Sequence, residues 1–129
     1  MSWRALLAVA LGGGVGSVLR YAVGYAVAQW LGPGFPWGTL AINVAGSFAI
    51  GLIAELAQTR ALGVTPLVRI FAAVGVLGGF TTFSTFALDM VTLAGERAQA
   101  LALAYAAGSV ALGFAAAFAG IVVARLMVL

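Results

Sequence analysis

Polar side chains are scarce in this chain, and several fall inside apolar segments where they could contact an ion. Thr39, Asn43 and Ser47 are spaced four residues apart, so they form a stripe on one face of a helix. An asparagine amide carries two N–H donors, and leaving them unpaired in lipid is costly. Asn43 is therefore either a hydrogen-bonded link between helices or a donor to a passing anion. The length of the stripe favours a water-accessible path.

A second polar group lies in the segment GVLGGFTTFSTF, residues 75–86. Three glycines and paired threonines within an apolar run predict an interrupted helix. A broken backbone is tolerated at membrane depth where protein buries it or where it lines a cavity, and carbonyls released there can bind a hard cation such as Na⁺. Phe83 and Phe86 share a helical face. Their positive ring edges, beside the hydroxyls of Ser84 and Thr85, could line an anion path without a trapping charge.

Three further residues could contribute from other segments. Tyr105 and Ser109 are four residues apart and share a face, where their hydroxyls either line a path or bond to their own helix. Arg20 lies within the first apolar stretch. It is either a partner for backbone carbonyls or a source of positive potential that draws anions into a vestibule. Glu55 and Asp89 fall near the ends of apolar stretches and are expected at the membrane interface.

The composition defines the elements that must position these residues. The chain has 129 residues, of which 64% are hydrophobic and 7% charged, and its mean hydropathy is +1.19. Soluble domains carry about 25% charged residues, so a soluble protein is excluded. A transmembrane helix needs roughly 20 apolar residues, and four short-looped spans therefore fit one domain, residues 1–129. The sequence contains no Cys, His or Lys, which argues against thiol chemistry, zinc and an enzyme.

The apolar runs predict four spans separated by polar or helix-breaking residues. The predicted spans are Arg4 to Trp30, Gly38 to Leu56, Leu67 to Leu93 and Ala98 to Met127. Leu31 to Trp37 should break the chain after the first span, Gln58 to Pro66 should connect the second to the third with Pro66 at a helix start, and Ala94 to Arg97 should form a short turn.

Small residues recur at a spacing of four, which lets membrane helices approach closely. The pairs are Gly12/Gly16, Gly13/Ser17, Gly75/Gly79 and Ala116/Gly120. They predict a tightly packed bundle rather than a phosphate-binding loop. The arginines are scattered singly, which indicates interfacial anchoring and no nucleic-acid binding. Their distribution gives a mild bias toward cytoplasmic termini.

These residues together resemble the CrcB/Fluc-type fluoride channels over nearly the whole chain. The resemblance is carried by Gly12-Gly13 through Arg20-Tyr21, by Gly38-Thr39-Leu40 with Asn43 and Gly46-Ser47-Phe48, and by residues 75–86. It implies an all-α membrane protein whose four-span subunits, each with a broken third helix, form an antiparallel homodimer of dual topology. It further implies two fluoride pores at the dimer interface and one central, structural Na⁺.

The resemblance also implies roles for particular residues. The carbonyls of Gly78 and Thr81 from both subunits would hold Na⁺. Asn43, Phe83 and Phe86 would line the pore, and Arg20 would close the motif of the first span. The remaining pore residues would be Thr39, Ser84, Thr85, Tyr105 and Ser109.

The function implied is passive fluoride export through the inner membrane. HF enters as a neutral weak acid and ionises inside, and fluoride leaves through the channel once donors replace its water shell. Two alternatives remain open. A small multidrug-type cation/proton antiporter also has four spans, but it needs an intramembrane acid, and the first span carries Arg20 instead. A non-transporting membrane assembly protein fits the composition but leaves the Asn43 stripe and the broken third span unexplained.

Overall fold

The chain forms four long apolar helical spans in a computed structural model that describes residues 1–59, 63–95 and 98–129. Helix α1 covers Trp3–Leu31 and helix α2 covers Trp37–Thr59. The third span, Pro66–Gly95, is divided into α3 (Pro66–Arg69), a π-helical segment (Ile70–Leu77), α4 (Gly78–Phe80) and α5 (Phe83–Gly95). Helix α6 covers Gln99–Met127. All four spans are long and apolar enough to cross a bilayer.

The helix ends follow local sequence signals. The Ser2 side chain accepts a hydrogen bond from the Ala5 N–H and so caps the start of α1. Gly32 ends α1 with a φ of 75°, a conformation that glycine adopts without strain. Thr65 caps α3 and Pro66 begins it, as predicted. The predicted connections around Arg60 and at Glu96 and Arg97 lie partly outside the described residues.

The four spans pack through glycines, which allow backbone to meet backbone. Helix α1 packs along the π-helical segment, and α2 packs along α6. A Cβ atom built on Gly75 would lie 2.9 Å from the Gly12 Cα, closer than real Cβ contacts allow. A Cβ on Gly120 would lie 2.8 Å from the Leu52 backbone N. Gly12, Gly16, Gly75, Gly79 and Gly120 therefore lie at contacts between helices, as the small-residue spacing predicted for them.

The third span breaks at a different place from the one its glycines suggested. Gly75, Gly78 and Gly79 all lie in helical backbone, and the chain leaves the helix only at Thr81 and Thr82. Thr81 is extended, with φ −78° and ψ 159°. The expectation that the glycines interrupt the helix was wrong, because Gly75 and Gly79 instead bring the third span against α1. The break itself, within residues 75–86, was predicted correctly.

Large apolar side chains cover the outside of the subunit. Leu93, Ala102 and Tyr105 form a small buried cluster, with Phe35 and Phe86 packed against it. Many other large apolar residues are exposed on every span, among them Val18, Ile50, Val91 and Phe114. A surface of this kind is suited to lipid or to a second apolar subunit rather than to water.

Candidate functional site

Two cavities flank the break in the third span. The first, of about 770 Å³, lies beside the connection between α1 and α2 and is lined by Arg20, Thr39, Thr85 and Asp89, among others. The second, of about 440 Å³, lies between α2, the third span and α6 and is lined by Asn43, Ser47, Phe83, Phe86 and Ser109, among others. Thr82 lines both cavities. The break therefore stands between the two polar regions of the subunit.

Asn43 is bonded to the backbone of the break. Its side-chain oxygen accepts the Thr82 N–H at 2.8 Å, and its side-chain nitrogen donates to the Thr82 carbonyl at 3.0 Å. The orientation of the amide follows from this pairing, because a backbone N–H can only donate and must face the amide oxygen. One of the two side-chain N–H groups is thus engaged. The other is left for a further acceptor in the second cavity.

The Thr82 hydroxyl organises the start of α5. It accepts the Thr85 N–H at 3.2 Å, which makes Thr82 the N-cap of that helix. The same oxygen lies 3.1 Å from the Thr85 hydroxyl and 3.3 Å from that of Ser84. Thr82 is 7% exposed. The hydroxyls of Ser84 and Thr85 therefore belong to one hydrogen-bonded cluster around a buried threonine.

The second cavity combines aromatic ring edges with a hydroxyl that has no bond. The ring centroids of Phe83 and Phe86 are 5.7 Å apart with the rings tilted by 41°. Phe83 is 80% exposed on the subunit. The buried Ser109 hydroxyl has no hydrogen-bond partner among the described residues, so it does not bond to its own helix. A buried polar atom without a protein partner is rare, and the Ser109 hydroxyl therefore faces the second cavity as a free hydrogen-bonding group.

The first cavity holds both signs of charge. Arg20 and Asp89 line it together with Thr39 and Thr85. Asp89 also accepts a hydrogen bond of 3.1 Å from the hydroxyl of Tyr105. Asp89 thus faces a cavity inside the subunit rather than serving only as an interfacial charge. The stripe read from the sequence is accordingly divided, with Thr39 at the first cavity and Asn43 at the second.

Tyr105 and Ser109 share a helix but have different surroundings. Tyr105 is 1% exposed, and its ring lies 5.2 Å from that of Phe86 and 5.3 Å from that of Phe35. Its hydroxyl is held by Asp89 rather than exposed in the second cavity. From the sequence, Phe35, in the connection between α1 and α2, is expected in an interfacial aromatic belt with Trp30 and Trp37. Its position among two prolines and two glycines gave a turn signal but did not predict its contact with the buried Tyr105.

Backbone carbonyls at the break fit a cation better than side chains do. No group of three acidic or other metal-binding side chains converges within residues 1–59, 63–95 and 98–129. In a continuous helix, the Gly78 carbonyl would accept the Thr82 N–H and the Thr81 carbonyl would accept the Thr85 N–H. Both donors are instead taken by side-chain oxygens, those of Asn43 and Thr82. Gly78 is exposed on the subunit surface. Carbonyls left without their helical donors at a break are the kind of ligand that a hard cation takes.

The only ion pair found in the described part of the chain lies away from both cavities. The Arg125 Nε donates to Glu55 Oε1 at 3.0 Å and links α6 to the end of α2. Glu55 thus lies near the end of a span, as expected. This ion pair links α2 and α6, which already pack through glycines, and its role is structural.

Four apolar spans, a break at membrane depth and polar side chains gathered around that break define a small multi-pass membrane protein with an internal polar site. Polar and ionisable side chains held at membrane depth are typical of pathways for ions or small polar solutes. The comparison with known proteins identifies the class more closely.

The chain belongs to the family of CrcB-like proteins, described as camphor resistance (CrcB), whose family model matches residues 7–121. A relative from Nitrobacter winogradskyi is 50% identical over 127 residues, covering 98% of this chain and 100% of the relative. A relative from Rhizobium etli is 51% identical over 123 residues, covering 95% and 97%. Both carry the name fluoride-specific ion channel FluC. The resemblance read from the sequence is confirmed, and four spans in this family fit a multi-pass protein of the inner membrane.

Proposed function

We propose that this chain is a fluoride-selective passive ion channel that exports fluoride from the cytoplasm. The observation that carries the proposal is the second cavity, where an amide donor, two ring edges and an unpartnered hydroxyl meet beside a helix break. Relatives about half identical over nearly the full length carry the name of fluoride-specific channels. Neither the antiporter nor the assembly protein has support from them.

The donors around the second cavity suit a small anion. Fluoride holds its water strongly, so a path must replace those waters with hydrogen-bond donors. Asn43 offers its second N–H, Ser109 its hydroxyl, and Phe83 and Phe86 their positive ring edges. These groups carry no net charge. They bind an anion weakly enough for it to leave, as conduction requires.

We propose that the conducting unit is an antiparallel homodimer with two pores. Phe83 is 80% exposed although it lines the second cavity, which supports completion of that cavity by another subunit. Arg20 at the first cavity would raise the local anion concentration at a pore entrance. Thr39, Ser84, Thr85 and Tyr105 would complete the polar lining, directly or through the hydrogen bonds described above.

We propose that one Na⁺ lies at the dimer centre, held by the carbonyls of Gly78 and Thr81 from both subunits. Bound there, the cation would neutralise carbonyl dipoles where two helix breaks meet. This would hold the subunits together, and Na⁺ would not itself be transported. The exposed position of Gly78 supports this arrangement.

The test of the channel is fluoride efflux from liposomes containing the purified protein, recorded beside chloride efflux under the same gradient. Fast efflux of fluoride without chloride is expected, and Phe83→Ile and Asn43→Ala should abolish it. Phe114→Ile is the matched control, because Phe114 is 78% exposed on α6 and lines neither cavity. Absence of fluoride efflux from well-folded protein would refute the proposal, and proton-driven cation uptake would then be tested.

The antiparallel arrangement has a separate test. The chain contains no cysteine, so Leu129→Cys introduces a single thiol at a fully exposed terminus. A membrane-impermeant maleimide should label roughly half of the protein from either side of sealed vesicles. Labelling from one side alone would contradict dual topology without affecting the efflux result.

A further inference from the structure

The hydrogen bonds at the break leave two backbone carbonyls without their helical N–H donors. Within residues 77–85, two backbone N–H groups donate to side chains instead of to helical carbonyls. The Thr82 N–H goes to the Asn43 side chain at 2.8 Å, and the Thr85 N–H goes to the Thr82 hydroxyl at 3.2 Å. Counting back four residues from each donor gives the helical acceptors they have left, which are the carbonyls of Gly78 and Thr81.

We propose that the side chains of Asn43 and Thr82 are positioning residues of the cation site, because each removes the helical donor that would otherwise occupy one of its two carbonyls. The proposal rests on the proposed function for the cation's identity as Na⁺. Neither side chain needs to touch the ion. Each acts on a carbonyl by holding the N–H that competes with the ion for it.

The Thr81 side chain supports this assignment. Its hydroxyl donates to the Leu77 carbonyl at 2.9 Å, and its own N–H donates to the same carbonyl at 3.0 Å. The Leu77 carbonyl thus accepts both the hydroxyl and the N–H of Thr81, so neither donor is left to bond to the Gly78 carbonyl. The ψ of 159° at Thr81 then turns its carbonyl away from the helical direction. The break releases two carbonyls while the neighbouring one stays fully bonded.

Burial indicates that these bonds are lasting features of the fold. Thr82 is 7% exposed, and a buried N–H without a partner is costly. If the Asn43 oxygen were removed, the Thr82 N–H would be free to donate to the Gly78 carbonyl, its ordinary helical partner. The helix would then gain the hydrogen bond from the Thr82 N–H to the Gly78 carbonyl, and that carbonyl would no longer be free to bind the cation. Asn43 therefore serves the pore with one N–H and the cation site with its oxygen.

The experiment measures the thermal unfolding midpoint of the purified full-length protein while NaCl replaces N-methylglucamine chloride at constant ionic strength, with KCl as the control. Wild-type protein should be stabilised by Na⁺ with a definable half-saturating concentration. Thr82→Val keeps the shape and removes the acceptor, and it should raise that concentration about 10- to 100-fold, the usual effect of losing a group that orients a metal ligand. Thr82→Ser restores the hydroxyl and should return it close to the wild-type value.

A second pair of variants, both at Asn43, keeps the test decisive if Thr82→Val fails to fold. Asn43→Asp loses the bond to the Thr82 carbonyl but retains an oxygen that accepts the Thr82 N–H, so it should keep the Na⁺ response, whereas Asn43→Leu should lose it. Thr92→Val is the control for threonine replacement, because among the described residues the Thr92 hydroxyl bonds only to the Leu88 carbonyl of its own helix. A wild-type Na⁺ response in Thr82→Val, or its loss in both Thr82→Val and Thr82→Ser, would overturn the proposal.

Failure of this proposal is distinguishable from failure of the channel. Wild-type protein that conducts fluoride but shows no stabilisation by Na⁺ would reject the cation site and leave the channel standing. Wild-type protein that is stabilised by Na⁺ but conducts no fluoride would reject the channel alone. The two measurements share the same preparation and differ only in their readout.

Discussion

The contact between Gly12 and Gly75 should make the third span intolerant of even one added methyl group. In Gly75→Ala, the new Cβ would lie 2.9 Å from the Gly12 Cα and 3.1 Å from the Ala8 carbonyl oxygen. Carbon atoms prefer separations of about 3.5–4.0 Å, so α1 would have to move away. Overpacking of this kind costs about 1–3 kcal/mol. The gain in helix propensity from Gly to Ala offsets roughly 1 kcal/mol of that cost.

Gly14→Ala is the control that separates packing from propensity. A Cβ on Gly14 meets nothing within 4 Å, so this variant should gain the helix propensity of alanine without any overpacking cost. The free energies of unfolding of the two variants should therefore differ by about 1–3 kcal/mol, which is the overpacking cost itself. The assay is denaturant unfolding in detergent followed by tryptophan fluorescence. Equal stability of Gly75→Ala and Gly14→Ala would show that the spans do not meet through these glycines.

Three further predictions concern single side chains. Tyr105→Phe keeps the buried ring and removes its bond to Asp89, so the same unfolding assay should show a loss of about 1.5–3 kcal/mol, the value of a hydrogen bond to a charged group. Unchanged stability would show that this bond contributes nothing. Ser109→Ala removes a buried hydroxyl that has no partner in the described part of the chain, so the free energy of unfolding should be unchanged or slightly higher while fluoride efflux slows. Unaltered efflux would remove Ser109 from the path. Arg125→Gln should cost under about 1 kcal/mol, and less in high salt, because the Arg125 side chain is 64% exposed beside Glu55.

The spans could be predicted from the sequence because the bilayer imposes a simple rule. Each backbone polar group in lipid must be bonded within its own helix, so long apolar runs become helices wherever they occur. The predicted and observed ends of the first span, Arg4 to Trp30 against Trp3–Leu31, differ by a single residue at each end. The break predicted from Leu31 to Trp37 and the helix start predicted at Pro66 gave the neighbouring boundaries.

The origin of the break could not be predicted from local sequence. The glycines of residues 75–86 have a low helix propensity, and that signal suggested that they interrupt the span. In the fold they meet α1, where their lack of a side chain matters more than their propensity. At the break, both backbone groups of Thr82 are bonded to Asn43, which lies 39 residues earlier in the chain. A pairing over that distance leaves no periodic signal in one sequence.

The same long-range pairing explains why the polar residues divide as they do. Thr39 and Asn43 are one helical turn apart and should share a single path on periodicity alone. Thr82 lines both cavities. Its N–H bonds to the Asn43 side chain, and its hydroxyl bonds to the Thr85 N–H at the start of α5. One buried threonine thus lies between a cavity lined by Arg20 and Asp89 and a cavity whose described lining carries no charged side chain. In the proposed channel, Arg20 would attract the anion and the neutral donors would bind it weakly, which is the order that rapid conduction requires.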